Sequence, residues 1–183
     1  MTRARWEDAC AQFNGDMTAT PQQIANYFLD RADQEGITIT QMKLVKLVYI
    51  AYGWYIALTG KKLFDEKIIA LDHGPVISSL LNEFRRFGRE PITERATQED
   101  LFTEEVIEPR ISLEDSELQF ILSKVWGGYK RFSASALRNK THETDSPWAE
   151  VYSPKKRGAA LNDETIASHY KERISRYLDA AQE

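Results

Sequence analysis

Residues 47–58 read LVYIAYGWYIAL, the most apolar run of the chain, with Lys46 and Lys61 on its flanks. Twelve helical residues extend about 18 Å, well short of the roughly 30 Å hydrocarbon core of a bilayer. The run therefore predicts a buried helix of a globular protein and no membrane association. Because apolar residues cover most of the helix circumference, we expect other helices to pack around it on several sides.

Capping signals and helical spacing predict a mainly α fold of about six helices. Thr20-Pro21-Gln22-Gln23 has the form of a capping box with proline at the first helical position, and Thr38-Ile39-Thr40-Gln41 repeats the capping pattern. The predicted helices cover 20–36, 39–58, 76–87, 112–126, 133–140 and 162–180. Together they are predicted to form one domain over 20–181, preceded by an N-terminal extension at 1–19.

At most a small β-hairpin is predicted, with extended segments near 67–73 and 104–109. The first segment ends at Gly74-Pro75, a pair typical of turns, and the third helix is expected to follow from Val76. The second segment belongs to an acidic stretch, 93–111, predicted as an exposed loop or hairpin. Residues 141–148 are predicted to be irregular, because a proline at 147 disfavours helix in the residue before it.

Charge is distributed unevenly along the chain. The 183 residues carry a formal net charge of −4 and a pI near 5.5, which does not indicate a nucleic-acid binder. Residues 90–119 hold ten acidic side chains against Arg95 and Arg110, whereas 124–157 hold eight basic side chains against three acidic ones. Surfaces of opposite sign are typical of a protein-binding module. A nucleic-acid-binding regulator that uses the basic stretch and its aromatic residues is the less favoured alternative.

The cellular compartment is suggested by two features near the N-terminus. Cys10 is the single cysteine, so the chain can form neither an internal disulfide nor a cysteine-based metal site. Residues 1–15 lack the continuous apolar stretch of a signal peptide. Both features predict a reducing, cytoplasmic location.

Two histidines raise the alternative of an enzyme. Asp72-His73 and His142-Glu143 could together supply a general base or a metal site, and Asp145 could add a further metal ligand. The chain has no HExxH, nucleophile elbow, P-loop or GxGxxG motif. The favoured interpretation is therefore that these residues stabilise turns, with no metal and no cofactor.

The predicted central helix carries Lys43 and Lys46 on one side, three residues apart. Their side chains are expected to extend to solvent. With Tyr49 and Trp54 they are a candidate partner-binding surface, a charged rim around an aromatic patch.

Several motifs occur in a definite order along the chain. ITQMKLVKLVY at 39–49 is followed by YGWY at 52–55, by IALDHGPV at 69–76 and by a helix ending in Phe87-Gly88. Ser135-Ala136-Leu137, Thr141-His142-Glu143 and Ser146-Pro147-Trp148 come later. In this order the motifs resemble the Panacea domain family, also called SocA-like or GepA-like, many of whose members are phage-associated proteins. The resemblance covers roughly 20–152, whereas 1–19 and 93–111 match no family motif.

The resemblance implies an antitoxin of a toxin–antitoxin system, a non-enzymatic protein that neutralises a cognate toxin by direct contact. One relative in the family instead presents its toxin to a cytoplasmic protease, so masking and delivery both stay open. Opposite charge speeds association, and we expect Glu104, Glu105 and Glu108 to meet a basic toxin surface. The family-motif residues are expected to define the fold; they are Leu44, Leu47, Asp72, His73, Gly74, Pro75, Thr141, His142, Pro147 and Trp148.

Overall fold

A computed structural model describes residues 19–100 and 104–180; the predicted extension therefore lies, apart from Ala19, outside the described residues. The described chain is mainly helical, as predicted, with two short antiparallel strand pairs. The elements in order are α1 (Pro21–Glu35), α2 (Gln41–Thr59), β1 (Ile68–Leu71), β2 (Gly74–Ile77), α3 (Ser78–Glu83), β3 (Gln98–Glu99), β4 (Val106–Ile107), α4 (Ser116–Tyr129), α5 (Ala134–Thr141), α6 (Pro147–Val151) and α7 (Asp163–Ala180).

Helix α2 is the centre of the fold. Fourteen of its nineteen residues are buried, and helices α1, α4, α5 and α7 and strand β2 pack around it. The prediction of a helix surrounded on several sides is thus confirmed. The predicted capping box of Thr38 with Gln41 is wrong, because the helix begins only at Gln41, after Thr40, whose side chain makes no capping hydrogen bond. The Ile39 carbonyl instead accepts a hydrogen bond from the Ile92 amide (2.8 Å), so the helix begins after a contact with a distant segment.

The β structure differs from the prediction in its pairing. Strands β1 and β2 form one hairpin with Leu71 opposite Gly74, while β3 and β4 form a second hairpin. Gly74-Pro75 was predicted to end the extended segment, but the turn lies at Asp72-His73 and Gly74 opens the next strand. Its φ of 101° lies in the left-handed region that glycine adopts readily, and proline is tolerated in a strand at a sheet edge. Helix α3 consequently begins at Ser78 and not at Val76.

Two helix predictions also need correction. Helix α4 begins after Asp115, whose carboxylate accepts a hydrogen bond from the Leu118 amide (3.0 Å), and it continues through Gly127-Gly128. Residues 147 and 148 were predicted to be irregular, but they begin α6 (Pro147–Val151). The Ser146 hydroxyl caps this helix by accepting from the Ala149 amide (3.2 Å), and proline at the first helical position needs no hydrogen bond there.

Helix α7 packs closely on α2 at Gly53. A Cβ atom placed on Gly53 would lie 2.1 Å from Cδ2 of Tyr170, so only the absence of a side chain permits this contact. The Tyr52 hydroxyl adds a hydrogen bond of 2.8 Å to the carboxylate of Asp163, the first residue of α7. Among the described residues, no helix combines the length and apolar character that crossing a membrane requires.

Candidate functional site

Polar side chains from two helices converge on the β1–β2 hairpin at Gly74. A Cβ atom on Gly74 would lie 2.7 Å from Lys46 Nζ, 3.0 Å from Thr141 Oγ1 and 3.1 Å from His142 Nε2. Lys46 comes from α2, whereas Thr141 and His142 lie at the end of α5. We call this group, together with Trp148, the turn junction. Each of its five residues belongs to one of the sequence motifs described above.

Lys46 is buried in the turn junction. Its side chain is 2% exposed, and its ammonium group donates a hydrogen bond to the Pro75 carbonyl (2.8 Å). Burial, reinforced by the positive charge of Arg138, lowers the pKa of Lys46 to about 7. The hydrogen bond from Lys46 to the Pro75 carbonyl on β2 thus holds the hairpin against the central helix.

The expected exposure of the lysine side of α2 is therefore wrong. Lys43 is 7% exposed and donates to the Lys130 carbonyl (2.6 Å), and Tyr49 and Trp54 are buried as well. Helices α4 and α5 and the β1–β2 hairpin cover this side of α2. The carbonyls of Lys130 and Pro75 accept the hydrogen bonds that the two lysines were expected to donate to water. In this conformation none of the four side chains forms an exposed rim.

A stack of three rings extends from the turn junction towards the surface. The His142 ring lies 3.9 Å from that of Trp148, and Trp148 lies 4.4 Å from Tyr152 with nearly parallel planes. The Trp148 indole donates to the Leu71 carbonyl (2.8 Å), and the Tyr152 hydroxyl donates to the Asp72 carboxylate (2.8 Å). Helix α6 and the residue that follows it thereby hold the β1 side of the hairpin turn.

His142 is held in its neutral form. Burial, and then the charges of Arg138, Lys46 and His73, lower the pKa of His142 to about 4. Its Nε2 atom is buried and makes no hydrogen bond to any described residue. At neutral pH the ring therefore carries no charge beside Lys46.

Two of the four residues of the enzyme alternative, Asp72 and Glu143, are engaged by other side chains, although the charge of His73 reaches His142. His73 is exposed in the turn, while Asp72 bonds Tyr152 and pairs with Arg157 at 3.4 Å. Glu143 forms an ion pair with Arg173 of α7. Within 19–100 and 104–180, no three His, Cys, Asp or Glu side chains are grouped to hold a metal ion. In this arrangement Asp72 and Glu143 connect the hairpin turn and the end of α5 to neighbouring segments.

The remaining motif residues lie in the protein interior. Leu44 and Leu47 are in the core on α2, and Pro147 is buried at the start of α6. The turn junction thus joins the central helix, the β1–β2 hairpin and the α5–α6 segment into one unit. Gly74 is its tightest point, because any side chain there would displace the Lys46 ammonium group.

The acidic stretch forms a hairpin anchored on α1; we call its described residues, 93–100 and 104–111, the acidic hairpin. Asn26 of α1 is fully buried, and its amide nitrogen donates to the carbonyls of Ala96 and Pro109, both at 3.0 Å. Its amide oxygen accepts a hydrogen bond from the Ala96 backbone (2.8 Å). One side chain therefore holds both arms of the hairpin. Sequence reasoning missed Asn26, whose only signal is a polar residue between the apolar Ile24 and Phe28.

The two basic residues of the acidic hairpin pair inward. Arg95 binds Asp30 at 2.7 Å and also pairs with Asp33, while Arg110 binds Asp30 at 2.6 Å and also pairs with Glu108. Glu104 and Glu105 are exposed carboxylates that directly precede β4. Glu104 has a φ of 56°, a left-handed conformation uncommon outside glycine.

Several basic residues of the stretch 124–157 are engaged by other side chains of the protein. Lys130 pairs with Glu35 and Arg157 with Asp72, while the Lys140 ammonium group lies 4.9 Å from the centre of the Phe132 ring. Trp126, a candidate for stacking on bases, is buried and donates a hydrogen bond to Glu35. Such pairing does not favour a groove that follows a phosphate backbone.

Comparisons with known proteins agree on one family. A family model described as "Antitoxin SocA-like, Panacea domain" matches residues 44–149, a span that includes the whole turn junction and the acidic hairpin. Antitoxin SocA of Caulobacter vibrioides (strain NA1000 / CB15N) is 28% identical over 139 residues, which cover 72% of this chain and 72% of that protein. No solved structure matches the chain.

Proposed function

The chain belongs to the family of SocA-like antitoxins with a Panacea domain, and from this premise we propose that it neutralises a cognate toxin by direct binding. The toxin is the product of a neighbouring gene, and the encounter takes place in the cytoplasm. The chain acts as a binding protein, without a cofactor and without a catalytic step of its own.

The observation that carries this proposal is the acidic hairpin. Asn26 and the Arg95 and Arg110 ion pairs fix it on α1, so its exposed carboxylates are held in place before any partner arrives. Fixed charges of one sign attract a partner surface of the opposite sign and raise the association rate. Toxins that act on RNA or on translation commonly present basic clefts, and a basic cleft is the surface we assign to the partner.

Masking of the toxin is the favoured mode of neutralisation, and delivery to a cytoplasmic protease is the alternative. Both modes require a complex between the two proteins, so the acidic hairpin is relevant to each. They differ in the fate of the toxin, which persists after masking and disappears after delivery.

A growth assay tests the proposal. The toxin gene is expressed with and without this chain, and the toxin is followed by immunoblot in cells with and without their ATP-dependent proteases. We expect growth arrest that this chain relieves while toxin levels persist. Relief that depends on the proteases would instead support delivery, and relief without any recoverable complex would contradict direct binding.

Charge reversal tests the role of the acidic hairpin. Glu104→Lys with Glu105→Lys reverses two adjacent exposed carboxylates and keeps the Glu108–Arg110 ion pair in place. The matched control is Glu150→Lys with Glu172→Lys, two exposed carboxylates elsewhere on the chain; Glu172 pairs with Arg176 (3.5 Å) in an exposed contact of the kind that contributes little to stability. We expect the first pair to weaken neutralisation and the control pair to preserve it. If both pairs neutralise as well as the native chain, the electrostatic part of the proposal is wrong.

A further inference from the structure

Two large apolar side chains are conspicuously exposed among the described residues. Val106 is 68% exposed and Leu113 is 88% exposed, whereas the other large apolar residues of the described chain are buried or half-buried. Single exposed apolar residues are ordinary on protein surfaces. These two differ from isolated exposed residues because they lie close together in the chain: Val106 belongs to the acidic hairpin and Leu113 follows it.

Both side chains are set among carboxylates. Val106 lies on β4, directly after Glu104 and Glu105 and shortly before Glu108. Leu113 precedes α4 and is followed by Glu114, Asp115 and Glu117. The surface therefore repeats one pattern, an exposed apolar side chain with acidic neighbours, at two positions.

The backbone that carries these residues is braced. On the Leu113 side, the Gln23 side chain donates to the Arg110 carbonyl and the Gln119 side chain donates to the Ser112 carbonyl, both at 2.9 Å. On the Val106 side, Asn26 holds the two arms of the hairpin. A surface that is ordered before binding loses less conformational entropy when the partner arrives, so more of the contact energy remains as affinity.

Leu113 also lines a groove. The groove lies between α1, which contributes Tyr27 and Gln34, and the segment that contains Ile111 and Leu113. Arg110 and Asp30 form its ion-paired edge towards the acidic hairpin, and Arg31, which pairs with Glu35 (3.5 Å), also lines it. An apolar side chain of a partner can therefore lie against Leu113 while the partner's basic residues reach the carboxylates nearby.

The spacing suits one interface. Val106 and Leu113 are seven positions apart, so even a fully extended chain places their Cα atoms no more than about 25 Å apart. A standard protein–protein interface covers about 800 Å² on each partner, a patch roughly 30 Å across. Both side chains can thus lie inside a single footprint.

We propose that Val106 and Leu113 are the two apolar anchors of the toxin-binding surface, and that the toxin receives each of them in an apolar pocket bordered by lysine or arginine. This inference rests on the proposed function and extends it by naming the contacts that stabilise the complex after encounter. The carboxylates govern how fast the proteins meet, while the anchors govern how slowly they separate.

The test compares variants by the kinetics of binding to the purified product of the neighbouring gene. Val106→Ser with Leu113→Ser removes both anchors, and thermal unfolding verifies the fold, because exposed substitutions change stability by less than about 0.5 kcal/mol. We expect the dissociation constant to rise at least about tenfold, mainly through faster dissociation, with little change in salt dependence. Glu104→Lys with Glu105→Lys should instead slow association and reduce its salt dependence.

A second pair of substitutions tests whether the apolar character of the two side chains, and not any change at these positions, determines affinity. Val106→Ile with Leu113→Met keeps the apolar character, and we expect affinity within about threefold of the native chain. If the serine pair binds as tightly as the native chain, or the conservative pair loses as much affinity as the serine pair, the anchors are refuted while direct neutralisation stands. If the native chain itself forms no complex, both the anchors and the proposed function are refuted.

Discussion

Gly53→Ala tests the packing of α7 on the central helix, because two physical effects predict opposite signs. In a helix interior, replacing glycine with alanine usually stabilises a protein by about 1 kcal/mol. At Gly53, however, the new methyl group would lie 2.1, 2.2 and 2.6 Å from three ring atoms of Tyr170. Carbon atoms in favourable contact are about 3.5–4.0 Å apart, so the ring must move.

The ring has little room to move. Tyr170 is buried, and its ring packs edge to face against Tyr49, with the ring centres 5.8 Å apart. Overpacking of a core costs about 1–3 kcal/mol, and a clash with a buried ring belongs near the upper end of that range. After subtracting the helix-propensity gain, we expect Gly53→Ala to lower the free energy of unfolding by about 2 kcal/mol. For a chain of this size that is a decrease in Tm of roughly 4–8 °C.

Thermal and denaturant unfolding of purified variants measure this effect, with Gly127→Ala as the matched control. Gly127 is also a helical glycine, but a Cβ atom there would meet nothing within 4 Å. The control should therefore gain about 0.5–1 kcal/mol. Combining Gly53→Ala with Tyr170→Leu should recover at least about 1 kcal/mol of the clash in a double-mutant cycle. If Gly53→Ala stabilises the protein as much as Gly127→Ala does, the α2–α7 contact described above is wrong.

Two further predictions concern the acidic hairpin and the turn junction. Asn26→Leu leaves three buried backbone groups of Ala96 and Pro109 without a partner, so we expect a loss of about 2–5 kcal/mol and faster amide exchange within 93–111; exchange as slow as in the native chain would contradict the anchoring role. His142 has a pKa of about 4 in the folded protein and about 6.5 when unfolded, so as pH falls the unfolded chain takes up its proton first. The stability contributed by neutral His142 is complete above pH 6.5 and is lost as pH falls towards 4. The free energy of unfolding of His142→Asn, measured at pH 7 and pH 4.5, should decrease less with acid than that of the native chain; an equal decrease would show that the ring is not shielded.

The parts of the fold that follow from local sequence were predictable. A long apolar run predicted a central helix, and Thr20 and Gln23 do form the capping box at the start of α1. Ser133 and Asn162 cap the helices they were expected to begin, α5 and α7. Each of these capping signals depends on residues within one helical turn of each other, and the apolar run is likewise a continuous segment.

The errors arose where distant residues decide the outcome. Lys46 looked like a surface residue on its own helix, yet the Pro75 carbonyl, 29 positions away, accepts its hydrogen bond in the interior. Gly53 gave no signal of its own, because its purpose is space for Tyr170. Asn26 was missed for the same reason, since its partners are 70 and 83 residues away. The motif residues of the candidate site could be named from the sequence, but their convergence at Gly74 required the tertiary structure.

Whether the chain binds its toxin directly is decided by mixing two purified proteins. The native chain and the product of the neighbouring gene are combined without any protease, and light scattering during size-exclusion chromatography measures the mass of the species formed. We expect one stable complex of defined stoichiometry. Glu104→Lys with Glu105→Lys should weaken this complex, and Glu150→Lys with Glu172→Lys should leave it unchanged. Separate elution of the two proteins, although co-expression relieves growth arrest, would contradict direct binding.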